Sequence, residues 1–210
     1  MAIAQGAANA DGTRAVPGAD GWLTGRLSAL MFMQFFVWGA WNVTLGLVMQ
    51  TVGIGSLIGN AFSVGPIASI VGSFLLGMAA ARYVAPRMLM VILHLVGGAI
   101  LFALPALVTP EHGATFVWLL LGYMILYMPT VGLANTIALK SFGERTDNFP
   151  FVRAFGTLGW IAAGLIVGWA GLSASPAIFQ VAAIVSVALG LYSFTLPNVS
   201  ADAPRDESVA

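Results

Sequence analysis

The run LSALMFMQFFVWGAWNVTLGLVM, residues 27–49, decides the fold class. It holds no charged side chain, and a helix of about 20 such residues crosses the roughly 30 Å hydrocarbon core of a bilayer. Five more runs of the same kind follow, at 57–81, 88–108, 114–139, 151–170 and 176–196. Together the six contain one charged residue, Arg153. Their apolar character is continuous, whereas a lipid-facing barrel strand would alternate over about ten residues. The expectation is an all-α membrane protein of six transmembrane helices, with a polar tail at 1–26 and a second tail or linker at 197–210.

Composition agrees with that expectation. Hydrophobic residues make up 59% of the chain and charged residues 8%, and the mean hydropathy is +0.93. Soluble domains carry roughly 25% charged residues, so this chain lacks the polar groups to cover a globular surface in water. The formal net charge is zero, and no basic field is present to attract nucleic acid. There is no cysteine, and the two histidines stand far apart in sequence without a second ligand nearby, so no metal centre or cofactor is expected.

Charge in the connections sets an expected orientation. The loops at 82–87 and 140–150 hold Arg82, Arg87, Lys140 and Arg145. Those at 50–56, 109–113 and 171–175 have the same combined length and hold neither Lys nor Arg. Positive loops stay on the cytoplasmic side, which puts both termini in the cytoplasm. Trp22, Trp118 and Trp169 lie near span ends, where indole rings favour the membrane interface. Small residues let helices approach closely in lipid. Gly164 and Gly168 form a GxxxG pair, and Gly39, Gly46, Gly65, Gly72 and Gly77 offer further approaches. Pro66 and Pro129 fall inside spans, where each tends to kink its helix.

Polar groups inside a membrane are costly and face an interior or a cavity. Arg153 lies in the first turn of the fifth span, with Thr157 and Trp160 at i+4 and i+7 on the same face. Arg153 reads either as a cation snorkelling to the cytoplasmic interface or as a guanidinium aimed into a central cavity, where a cation, a hydroxyl and an aromatic in one line suit a ligand with a ring and several hydroxyls. In the first span Gln34, Trp38 and Trp41 form a stripe with Asn42 beside it, which reads as a pore face or as aromatic packing plus an interhelical amide bond. In the fourth span Tyr123, Tyr127 and Thr130 form another, with Asn135 and Thr136 beyond. His94 is the titratable imidazole of the third span, a candidate proton carrier or a neutral packing residue. All eight Asp and Glu lie in tails or loops. The spans therefore offer no carboxylate for proton coupling, and no Ser/His/Asp or paired-carboxylate set for enzymatic chemistry.

Three motifs carry a family likeness. Residues 34–41, QFFVWGAW, with Thr44-Leu45-Gly46, resemble the first helix of the nucleoside:proton symporters of the major facilitator superfamily. Residues 127–133, YMPTVGL, with Asn135-Thr136-Ile137, are similar to that family's fourth helix. Asn148-Phe149-Pro150 with Arg153, Gly156-Thr157 and Gly159 resembles the start of its fifth. The likeness covers about residues 27–197. It implies transport of nucleosides by proton symport in a bacterial inner membrane, by two six-helix halves with the substrate between them. On this resemblance the chain is the N-terminal half. Arg153, Thr157 and Trp160 would line the nucleoside site with Gln34, Trp38 and Tyr127, and His94 is the proton-coupling candidate. The proton-carrying acid is implied to lie in a second half. The family usually has a smaller aromatic where Trp160 stands. The superfamily's acidic loop position is Ala81 here. A truncated half that does not transport, and a carrier of another small solute, remain open at this point.

Overall fold

The computed structural model describes residues 19–75, 84–143 and 146–199. Among them every regular element is helical: α1 Ala19–Asn42, α2 Leu45–Thr51, α3 Ile58–Leu75, α4 Pro86–Ala103, α5 Gly113–Phe142, α6 Phe149–Trp169 and α7 Ile178–Ser193, joined by short turns. Five segments are long and apolar enough to cross a bilayer: Gly21–Thr51, Gly55–Gly72, Pro86–Leu107, Gly113–Phe142 and Phe149–Trp169. The sixth apolar helix, α7, has 16 residues. At about 1.5 Å per residue it spans roughly 24 Å, and turn hydrogen bonds extend it at both ends, from Ser175 to Ile178 and from Ser193 to Leu196.

Several boundaries differ from the sequence reading. Residues 19–26 belong to α1 and not to a tail, because nothing in Ala-Asp-Gly-Trp-Leu-Thr-Gly-Arg stops a helix once the apolar run behind it is packed. The first span is two helices, broken by a turn at Val43–Thr44. The third turns 3-10 over Leu104–Leu107, where Pro105 has no N–H to continue the α ladder. The fourth runs on to Phe142 and stops at Gly143, whose φ of 59° suits a residue without Cβ. The fifth begins at Phe149, with Pro150 in its first turn, where a missing N–H costs nothing. The end of the second span, including Gly77 and Ala81, and the loop residues Arg82 and Arg145 lie outside the described residues.

α1 packs mainly on α6 and α7, α5 packs on α3 and α4, and α4 packs on α7. Exchanging spans one, two and three for spans four, five and six maps this set of contacts onto itself. That is the pattern of two inverted three-helix repeats. α1 and α6 run parallel and approach closely through glycine. A Cβ on Gly39 would stand 3.0 Å from the Trp160 carbonyl oxygen, and one on Gly159 would collide with the Phe32 carbonyl. On the α3–α5 contact the Pro129 ring sits against Gly72, where a Cβ would be 2.7 Å away. The GxxxG pair behaves differently from its sequence reading: Gly164 meets only Val43, at 4.0 Å, and Gly168 meets nothing within 4 Å. Its face packs closely on no other helix among the described residues.

The buried core falls into two apolar layers. One lies at the near end, where α1 begins, and contains Leu27, Met31, Met90, Ile137, Ala138 and Leu189. The other, toward the far end, contains Trp41, Phe116, Tyr123 and Phe179. Between them, at matching depth on α1, α4, α5 and α7, lie the buried polar side chains Gln34, His94, Thr130 and Ser186. Trp22 at the near end and Trp118 and Trp169 at the far end are 73%, 72% and 92% exposed, as expected of residues at an interface.

The α1–α6 contact is tested by two substitutions. Gly159→Ala is expected to cost about 1–3 kcal/mol through overpacking, read as a lower midpoint in thermal unfolding of the detergent-solubilised protein. Gly168→Ala should stay within about 0.5 kcal/mol of the parent.

Candidate nucleoside-facing site

Arg153 stands one turn into α6, half-buried. Its guanidinium carbon lies 4.2 Å over the centre of the Phe35 ring on α1, a cation–π contact. Gly156 makes room for both partners: a Cβ there would come within 2.7 Å of Arg153 Nη1 and of Phe35 Cδ2. Among the described residues Arg153 has no hydrogen bond and no ion pair, so all its N–H donors are unspent. Thr157, the next residue on this face, is exposed. Trp160 follows, edge-on to Trp38 of α1 with ring centres 5.2 Å apart and planes at 82°. Trp38 in turn meets the edge of Tyr127 on α5, at 6.1 Å. The structure thus joins the α6 stripe to Phe35 and Trp38 of α1. The sequence reading omitted Phe35. Its spacing, three residues before Trp38, was the available signal.

Gln34 and Tyr127 are buried and spend their polar groups on neighbouring helices, so the α1 stripe carries the interhelical amide bond that was one of its two readings. The Gln34 amide N–H donates to Thr130 Oγ1 at 2.7 Å, and the Thr130 hydroxyl donates to the Tyr127 carbonyl at 2.6 Å. The Tyr127 hydroxyl donates to the Gln34 carbonyl. Gln34 Oε1 lies 3.0 Å from His94 Nε2, and His94 Nδ1 lies 3.2 Å from Ser186 Oγ. One amide, one imidazole, two hydroxyls and a phenol therefore link α1, α4, α5 and α7. A neutral ring fits this network with Nε2–H donating to Gln34 Oε1, while the Ser186 hydroxyl donates either to the His94 carbonyl, 2.9 Å away, or to Nδ1. The other tautomer, with Nδ1–H donating to Ser186 Oγ, needs the Gln34 amide rotated, which turns Oε1 toward Thr130 and takes the Thr130 hydroxyl away from the Tyr127 carbonyl. A charged ring would be buried with no carboxylate beside it among the described residues, which is a costly arrangement. His94 therefore sits as an interhelical clamp.

Tyr123 stacks on Tyr127 at 5.7 Å and meets Trp41 edge-on at 6.2 Å, extending an aromatic column toward the far end. No group of three or more His, Cys, Asp or Glu capable of holding a metal occurs among the described residues.

The sequence profile of the nucleoside H+ symporter family matches residues 22–210, almost the entire chain. The chain belongs to this family. It is 35% identical over 180 residues to the nucleoside permease NupG of Escherichia coli (strain K12), and 30% identical over 180 residues to the xanthosine permease of the same strain. In both cases the match takes in 83% of this chain and 42% of the relative. The crystal structure of the nucleoside transporter NupG superposes with a TM-score of 0.78 at 33% identity, over 85% of this chain and 45% of that one. The chain thus spans less than half the length of these relatives. The described residues share the all-helical fold of the transporter NupG over about half of its length.

In this chain the clamp is expected to act through pairing and not through charge. His94→Ala and Gln34→Ala should each lower stability, and the double variant should lose less than the sum. Interhelical hydrogen bonds in membranes average about 0.6 kcal/mol and reach about 1.7. The coupling, measured by unfolding in bicelles, should be the same at pH 6 and pH 8. A coupling that changes with pH would place a proton on His94.

Proposed function

We propose that this chain is the N-terminal half of a nucleoside:proton symporter of the bacterial inner membrane, with both termini cytoplasmic. In this reading Arg153, Thr157, Trp160 and Trp38 form its share of the nucleoside site. The observation that carries the reading is Arg153. It is a half-buried cation whose donors have no partner in the described chain, beside an exposed hydroxyl and an edge-to-face indole pair. Ribose offers hydroxyl oxygens to the guanidinium and the threonine, and the base offers a π face to the indoles. Gln34, Tyr127 and His94 act behind this face, holding α1 and α5 in place. The match to less than half of each relative supports a half-transporter over a complete one. Alternating access needs a second six-helix half to rock against. The proton carrier belongs to that half as well, since His94 is committed to the clamp and the described spans hold no carboxylate.

Uptake of labelled uridine into proteoliposomes tests the reading. The chain alone is expected to give no gradient-driven accumulation. Reconstitution with the second half of a full-length relative should give it. In that pair Arg153→Ala should weaken nucleoside affinity about ten- to a hundredfold, the range of a lost hydrogen bond to a charged group, at unchanged protein level. Accumulation by the chain alone that disappears in His94→Ala would overturn the assignment of the proton site. For orientation, cysteines are placed singly at exposed Ala174 and Asp147. An impermeant thiol reagent added to intact cells should label position 174 and spare 147, and the reverse would invert the topology.

A further inference from the structure

A cavity of about 360 Å3 opens between α1, α3 and α5 on the far-end side of the bundle. Its walls are the indoles of Trp38 and Trp41, the Phe62 ring and the thioethers of Met124 and Met128, with the Asn42 amide at the break between α1 and α2. The size lies in the roughly 300–1,000 Å3 range of small-ligand sites. Three polar groups of the lining residues have no hydrogen-bond partner among the described residues: Trp38 Nε1 and Trp41 Nε1, both buried, and the half-buried Asn42 amide. No charged side chain among the described residues lines the space. Gly65 forms part of the floor, and a Cβ added there would sit 3.6 Å from Met124 Cε and 3.8 Å from Met128 Cε. Trp38 is shared: it lines this cavity and also packs on Trp160 of the Arg153 stripe.

We propose that this cavity is a second binding site, one aromatic residue removed from the Arg153 stripe, that takes the uncharged heterocyclic ring of a nucleobase. The proposal deepens the nucleoside reading and rests on it for the identity of the solute. Aromatic walls receive a flat ring through its faces whatever the base. Polarisable methionine sulfur fits around ring edges. A carboxamide presents one acceptor and two donors side by side, and pairs with the adjacent donor and acceptor on a base edge. The absence of a cation from the lining rejects phosphorylated forms, since a buried phosphate without a partner is too costly. The site therefore selects free bases and nucleosides over nucleotides, and hands the ring toward Trp38 and the stripe beyond it.

All the walls lie within this chain, so the test uses the 210-residue protein in lipid nanodiscs. Equilibrium dialysis with tritiated adenine, adenosine and AMP reads binding to the parent, to Asn42→Leu, to the cavity-filling Gly65→Leu, to Arg153→Ala and to Gly168→Ala. Saturable binding of adenine and adenosine but not AMP is expected. Adenine affinity should fall about tenfold or more in Asn42→Leu and in Gly65→Leu, the scale of a lost bidentate amide–base pair. In the control Gly168→Ala, on the exposed face of α6, it should stay within about twofold, the scale expected of a change outside this site. Adenosine binding lost in Arg153→Ala yet untouched by Asn42→Leu would remove this site and leave the nucleoside reading standing. Adenine binding sensitive to both cavity variants, with adenosine unbound, would keep the site and remove that reading. No binding of either ligand to the parent overturns the proposal. So does quenching of Trp41 emission by brominated acyl chains, taken as the difference from Trp41→Phe, because a lipid would then fill the space. Helicity and elution profile check each variant. Should neither cavity variant fold, photolabelling of the parent by 8-azidoadenine decides: label on the α1, α3 and α5 peptides supports the site, and label elsewhere overturns it.

Discussion

The carboxamide of Gln34 is the joint on which the bundle depends. It faces Thr130 of α5 on one side and His94 of α4 on the other, and His94 reaches on to Ser186 of α7. In hydrocarbon, apolar side chains gain little by leaving lipid for one another, so association rests on close packing and on polar groups that find partners. The polar layer supplies partners at one depth. Glycines supply close packing on either side of it. Sliding one of the four helices along its axis would break the layer, so the register of α1, α4, α5 and α7 is fixed together. This fixed set carries Phe35 and Trp38 against α6 and so determines where Arg153 can point.

What could be read from the sequence was what is one-dimensional. Apolar length gave the spans, and a lone cation in 151–170 gave Arg153 with Thr157 and Trp160 at helical spacing. A stripe fixes which residues share a helix face but not what that face meets. Gln34 and Trp38 share a stripe on α1, yet Gln34 ends in the bundle interior and Trp38 at the α6 contact. The difference is set by α4 and α5, which lie far away in sequence. Glycines show the same limit. Gly159 and Gly168 look alike in the sequence, but only Gly159 faces the Phe32 backbone. The break at Val43–Thr44 had no proline to announce it.

The two helices with most free surface are α3 and α6, each packed chiefly on one neighbour, α5 and α1 respectively. Their outer faces hold Ile67, Ile70 and Phe74 on one helix and Leu158, Leu165 and Trp169 on the other. Under the inverted repeat these helices are equivalents, spans two and five. Arg153 and the cavity beside Asn42 thus lie next to the two least enclosed helices of the fold, where a solute or a second helical body has access. The clamp sits among the most enclosed.

The exchange symmetry of the helix contacts also bears on the order in which the molecule is built. Span one finds its main neighbours in spans five and six, and span two finds its neighbour in span four. A chain entering the membrane from its N-terminus therefore cannot complete the packing of its first three spans among themselves. During synthesis Gln34 meets His94 only once the third span is in place, and Thr130 only after the fourth. Gly39 waits for the fifth. Until then α1 presents an amide and a small-residue notch to lipid. That makes the half-inserted chain a substrate for whatever machinery shelters polar helices at the translocon, and makes α7, which packs on α1 and α4 and brings Ser186 to His94, the helix whose arrival closes the assembly.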